Sequence, residues 1–69
     1  MFDVRKFRAQ VVLRGMTMRQ VAEALDIDVT TLYRKMNGES DFYRAEIQKL
    51  CETLDIDDPA SIFFASELT

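Results

Sequence analysis

The chain contains one cysteine and no histidine in 69 residues, and this shortage limits how it can fold. A single cysteine cannot close an intrachain disulfide, and one thiol without histidine cannot form a structural zinc site. A chain of this size hides only about 60% of its unfolded surface on folding, so many small domains depend on such links. Stability must therefore come from the packing of secondary structure or from a second chain.

Composition and motifs exclude several classes of function. The chain is 48% hydrophobic and 30% charged, which is typical of a folded domain, and we expect residues 1–69 to form a single domain. The lack of histidine and the short length argue against an enzyme, and we expect no catalytic residue, cofactor, metal or small-molecule ligand. The lone thiol favours the reducing cytoplasm, and no apolar run is as long as a signal peptide or a membrane span.

Hydrophobic periodicity is helical throughout, which predicts an all-α fold of five helices. The predicted helices cover residues 3–14, 18–25, 29–36, 44–54 and 59–64. Thr17 and Gln20 form a capping-box pattern, Asp3 and Asp28 are candidate N-caps, and Gly15 and Gly38 are suited to helix ends.

Apolar side chains recur at helical spacing and define a candidate core. Cys51 falls in this pattern, so we expect a small core side chain whose burial raises the thiol pKa and lowers its reactivity. Phe42 is expected to anchor the loop before the fourth helix. The apolar positions of the first four helices are Val4, Phe7, Val11, Val21, Ala22, Leu25, Val29, Leu32, Met36, Ile47, Leu50, Cys51 and Leu54.

Residues 17–37 have the pattern of a helix-turn-helix. Two short helices are joined by a turn of three to four residues, and the second has an apolar inner face and a polar outer one. Ala22 suits the crossing of the two helices, because a small side chain lets the backbones approach closely. We expect Thr30, Thr31, Arg34 and Lys35 on the outer face.

The run of residues 17–38 resembles the Cro/repressor (XRE-type) helix-turn-helix family, and small prophage-encoded regulators in particular. The later Phe42, Glu46, Ile47, Leu50, Leu54 and Ile56 match apolar and cap positions around that family's fourth helix. The resemblance implies a compact, five-helix, lambda-repressor-like DNA-binding domain. One departure has a structural consequence: Asp26 stands where the family usually has glycine, so Asp26 must adopt a glycine-like conformation.

The resemblance also implies a set of DNA contacts on the recognition helix, Val29–Met36. Base contacts are expected from Val29, Thr30 and Arg34, and a guanidinium such as that of Arg34 can bond O6 and N7 of guanine together. Alternatively, Val29 belongs to the core, and Arg34 and Lys35 form a solvated face. Contacts to the DNA backbone are expected from Thr17, Met18, Arg19, Tyr33, Lys35 and Asn37.

The run Ile62, Phe63 and Phe64 has more apolar surface than one side of a single helical turn can bury. Either the C-terminal tail folds over the same core, or these residues and Leu68 form a homodimer interface. A dimer suits the predicted function, because paired recognition helices about 34 Å apart read two half-sites.

The net charge of −3 is unevenly distributed. Residues 1–37 contain seven basic and four acidic residues, whereas residues 38–69 contain two basic and eight acidic ones. Because screening acts over about 8 Å, the first half can still attract phosphates. We therefore expect weak, salt-sensitive background binding to DNA.

Three functions fit this pattern. The first is a sequence-specific transcriptional regulator that binds a double-stranded operator as a homodimer. The second is an antitoxin-type autoregulator, whose acidic C-terminal part holds a basic partner protein. The third is a helical protein-binding module that kept the fold and lost its affinity for DNA.

Overall fold

A computed structural model describes residues 1–64, and five α-helices contain most of them. These are α1 (Val4–Leu13), α2 (Met18–Ala24), α3 (Val29–Met36), α4 (Arg44–Leu54) and α5 (Pro59–Phe63). The described residues contain no strand, so the predicted all-α fold is confirmed. None of these helices combines the length and the apolar character needed to cross a membrane.

Side chains near the helix ends explain where the first helices begin. The Asp3 carboxylate accepts a hydrogen bond from the Lys6 amide at 3.0 Å. The predicted capping box of α2 is complete. The backbone amide of Gln20 donates to the Thr17 hydroxyl at 3.1 Å, and the backbone amide of Thr17 donates to Gln20 Oε1 at 2.9 Å. Asp28 occupies the N-cap of α3 with extended backbone, but its carboxylate makes no capping hydrogen bond.

The core lies where α2 packs against α3 and α4, and α5 packs against α1 and α4. A long-range hydrogen bond joins the first and fourth helices, because Gln10 Nε2 donates to the Leu54 carbonyl at 2.6 Å. The buried apolar side chains agree with the sequence pattern and add two from the last helix: Phe7, Val11, Val21, Ala22, Leu32, Met36, Leu50, Leu54, Ile62 and Phe63.

Four phenylalanines form an aromatic cluster that covers the last helix. The Phe2 ring lies 4.9 Å from Phe42 and 5.5 Å from Phe63, measured between centroids. The Phe42 ring meets Phe63 edge-on at 5.4 Å, and Phe7 lies 5.2 Å from Phe2. Phe42 is therefore the core anchor that the sequence predicted.

This cluster changes the expectation for the C-terminal apolar run. Ile62 and Phe63 are buried within the protomer, so their side chains are not free to contact a second copy. Phe64 is 64% exposed. Leu68, the fourth residue of the expected interface, lies outside the described residues.

Candidate nucleic-acid interface

The connection between α2 and α3 depends on a residue in the left-handed conformation. Asp26 has φ of +58°, as the sequence predicted for this departure from glycine. The reversal lets the Ile27 amide donate to the Ala22 carbonyl at 3.0 Å, while the half-buried Ile27 packs against the core. The turn therefore fixes the angle at which α3 leaves α2.

The inner faces of these helices are closely packed. Ala22 is buried in α2, and Leu32 and Met36 are buried on the inner side of α3. Since α3 is held along its inner side, its opposite face has a fixed position relative to α2.

The outer face of α3 presents polar side chains to solvent. Thr30, Tyr33 and Arg34 are exposed, whereas Thr31 and Val29 are half-buried. Arg34 forms no ion pair with any residue of the described chain, so its guanidinium is available to a ligand. Val29 packs partly against the core, which reduces the surface it offers.

The start of α2 lies beside the start of α3. A shallow groove of about 330 Å³ is lined by residues of both, and it brings Arg19 close to Val29 and Thr30. Arg19 and Thr17 are exposed, and Met18 is half-buried against the core. Of the predicted contacts, Arg19, Val29 and Thr30 thus line one groove.

Carboxylates border the same groove and modify its electrostatics. Glu23 and Asp28 line it, and Asp26 lies exposed in the turn between them. Arg19 lines the groove and Arg34 is exposed on α3, and neither forms an ion pair with another described residue. The surface therefore offers separate positive side chains rather than a continuous basic patch.

The structure overturns the expectation that Lys35 faces outward. Its side chain is only 4% exposed, and its Nζ lies 3.1 Å from Glu46 Oε1. The same Nζ donates to the Asp41 carbonyl at 2.9 Å and lies 4.1 Å from the centre of the Tyr43 ring. Lys35 is therefore an internal residue, because its partners lie in the following loop and in α4.

The segment after α3 is exposed and tightly turned. Asn37 caps the helix and Gly38 has φ of +84°, consistent with the predicted helix end. Asn37 is exposed, so it remains available for the expected backbone contact.

Sequence reasoning missed the partners of Lys35. The spacing of Tyr43 and Glu46 resembles a cap pair, and Glu46 does accept a hydrogen bond from the Tyr43 amide at 2.8 Å. No local pattern indicated that the same carboxylate also holds the recognition helix.

Two short packed helices, a left-handed turn and an exposed second helix define the helix-turn-helix class of DNA-binding domains. A family model described as the Cro/C1-type HTH DNA-binding domain matches residues 6–63. The chain belongs to this family, as the resemblance in the sequence predicted. It is therefore a DNA-binding regulator. Searches of curated proteins and of solved structures gave no significant match.

Proposed function

We propose that the protein is a sequence-specific transcriptional regulator of the prophage repressor or Cro type, which places α3 in the major groove of its operator. The observation that carries this proposal is the exposed Arg34, which forms no ion pair with another described residue and lies on a helix whose inner face is buried. The packed helix fixes the backbone position from which this side chain reaches the bases, and a bidentate pair with guanine contributes about 1–3 kcal/mol of discrimination.

The remaining contacts divide into two roles. Thr30 donates to or accepts from a base, and Val29 contributes an apolar edge that suits a thymine methyl. Arg19, with Thr17 and Met18 at the start of α2, contacts backbone phosphates, which fix orientation without reading sequence. Tyr33 and Asn37 contact the backbone from the other end of the recognition helix.

The proposal includes a homodimer, because one recognition helix reads few bases. Two helices about 34 Å apart would read two half-sites of a palindromic operator. Phe64 supports a C-terminal interface, since it is a large apolar side chain left exposed next to the buried Ile62 and Phe63. Background binding to DNA is expected to be weak and salt-sensitive, because the acidic residues of the second half lower it and salt screens the attraction of the basic first half.

The direct test is a mobility-shift assay on the DNA that flanks the protein's own gene, followed by selection of bound sequences from a random pool. Arg34→Ala is expected to relax the selected sequence, with a loss of about 1–3 kcal/mol at the guanine position. Arg19→Ala should weaken binding to all sequences alike. It should also reduce the salt slope, the steepness with which log affinity falls with log salt concentration, by about 0.9. Lys49→Ala is the matched control, because Lys49 is an exposed cation on α4.

Two results would count against the proposal. The first is the absence of any shift at low salt by a protein whose circular dichroism shows intact helices. The second is an equal effect of Arg34→Ala on every sequence, which would remove Arg34 from base reading.

A helical protein-binding module is the second candidate, favoured by the carboxylates on the reading surface. Glu23 and Asp28 border the groove between α2 and α3, and Lys35 adds no exposed charge there. The mobility-shift assay separates the two candidates, because this module would bind no duplex at low salt.

A further inference from the structure

The Lys35 ammonium has as many partners as it has N–H donors. A lysine ammonium carries three donors and no acceptor. The three partners are the Asp41 carbonyl at 2.9 Å, Glu46 Oε1 at 3.1 Å and the face of the Tyr43 ring at 4.1 Å. With the side chain 4% exposed, Lys35 has no donor left for a phosphate.

These partners lie along the segment that follows the recognition helix. Asp41 is within the loop, Tyr43 is the N-cap of α4, and Glu46 is in the first turn of α4. Glu46 Oε1 forms an ion pair with the Lys35 ammonium at 3.1 Å and accepts a hydrogen bond from the Tyr43 backbone amide at 2.8 Å. One carboxylate oxygen therefore joins the end of α3 to the start of α4.

The backbone of this segment is also tied to α3 at its beginning. The Gly38 amide donates to the Lys35 carbonyl at 3.2 Å, and the Glu39 amide donates to the Arg34 carbonyl at 2.9 Å. Residues 37–43 are thus held at the start by backbone hydrogen bonds, in the middle by Lys35 and at the end by Glu46.

We propose that Lys35 is a positioning residue for DNA binding, which sets the path of residues 37–43 beside the recognition helix. This inference rests on the proposed function, in which Asn37 contacts the backbone. Lys35 contributes to the shape of the DNA-binding surface and not to its charge. Loss of the Lys35 side chain therefore lowers the affinity for DNA but leaves the number of counterions released on binding unchanged.

Salt dependence of binding distinguishes this role from a phosphate contact. The duplex is one selected from a random pool by the unaltered protein, and its affinity is measured by fluorescence anisotropy over a range of salt concentrations. Lys35→Met is expected to weaken binding about fivefold and leave the slope unchanged, whereas loss of a phosphate contact would lower the slope by about 0.9. Lys49→Met is the control for loss of one positive charge and should bind as the unaltered protein does.

A structural measurement on the free protein tests the same arrangement. Amide exchange of Tyr43 is expected to accelerate in Lys35→Met, because its acceptor Glu46 loses its cation, while exchange of Leu50 in the core stays slow. Lys35→Arg keeps the charge and the donors, and it should restore most of the affinity.

Removal of Lys35 leaves the largely buried Glu46 unpaired, so the double variant Lys35→Met/Glu46→Gln is also measured. The side-chain amide oxygen at position 46 still accepts from the Tyr43 backbone amide. We expect the same weaker affinity for DNA as in Lys35→Met, with an unchanged salt slope. Affinity equal to that of the unaltered protein, in variants shown to be folded at the assay temperature, would overturn the positioning role. A lower slope would make Lys35 a phosphate contact, and failure of the unaltered protein to bind DNA would overturn the proposed function itself.

Discussion

Cys51 shows how a single side chain's surroundings set its chemistry. It lies half-buried on α4 and packs against the core, as its place in the apolar pattern predicted. Burial, with a smaller contribution from the neighbouring Glu52 carboxylate, raises the pKa of the Cys51 thiol above its ordinary value. The folded protein therefore contains less thiolate at neutral pH than the unfolded chain does.

This raised pKa gives a pH-dependent prediction. At about pH 8, Cys51 should react with iodoacetamide several-fold more slowly in the folded protein than in concentrated urea. As the pH rises above the ordinary thiol pKa, the unfolded thiol ionises first, so the free energy of unfolding should fall. Mass spectrometry of alkylation against pH checks the first result, and equal rates in both states would contradict it.

At the scale of elements, the turn of the helix-turn-helix contains backbone strain that its sequence could avoid. Asp26 has φ of +58°, a region that costs a non-glycine residue about 1–2 kcal/mol. Gly15 and Gly38 take the same region at the ends of α1 and α3 without that cost.

Asp26→Gly should therefore stabilise the protein by about 0.5–1 kcal/mol, and it should raise Tm by roughly 4–8 °C for each kcal/mol. Asp28→Gly is the matched control, because it removes the same charge two residues later, where φ is −70°. Thermal unfolding followed by circular dichroism measures both variants. An equal gain from the two would attribute the effect to charge instead of backbone conformation.

Across the whole molecule, the N-terminal segment and the last helix close one side of the core together. The Asp3 amide donates to the Ile62 carbonyl at 2.7 Å, and Phe2 lies against Phe63. Two of the four residues expected at a dimer interface are consequently internal. If two copies associate through α5, the exposed Phe64 must supply much of the contact.

We predict that Phe64→Ser raises the dimer dissociation constant at least about tenfold, because a symmetric interface loses two buried phenylalanines. Val12→Ser is the matched control, since Val12 is an exposed apolar residue on α1, and it should leave association unchanged. Sedimentation equilibrium measures both. A protein that is monomeric at all concentrations, or two variants with equal effects, would contradict an interface at Phe64.

The sequence by itself determined the five helices and the helix-turn-helix, because their ends depend on local groups. The Asp3 cap, the capping box of Thr17 and Gln20, and the positive φ of Gly15 each act within a few residues of their own position. The left-handed conformation of Asp26 was predicted from the family resemblance, because the family usually has glycine at this position.

Only the tertiary structure decided which of these side chains are buried by distant segments of the chain. Lys35 is buried because Asp41 and Glu46 reach its ammonium from the following loop and the next helix. Phe63 is buried because Phe2, at the opposite end of the sequence, packs against it. Helical periodicity assigns a side chain to one face of a helix, but whether that face meets solvent depends on segments distant in sequence.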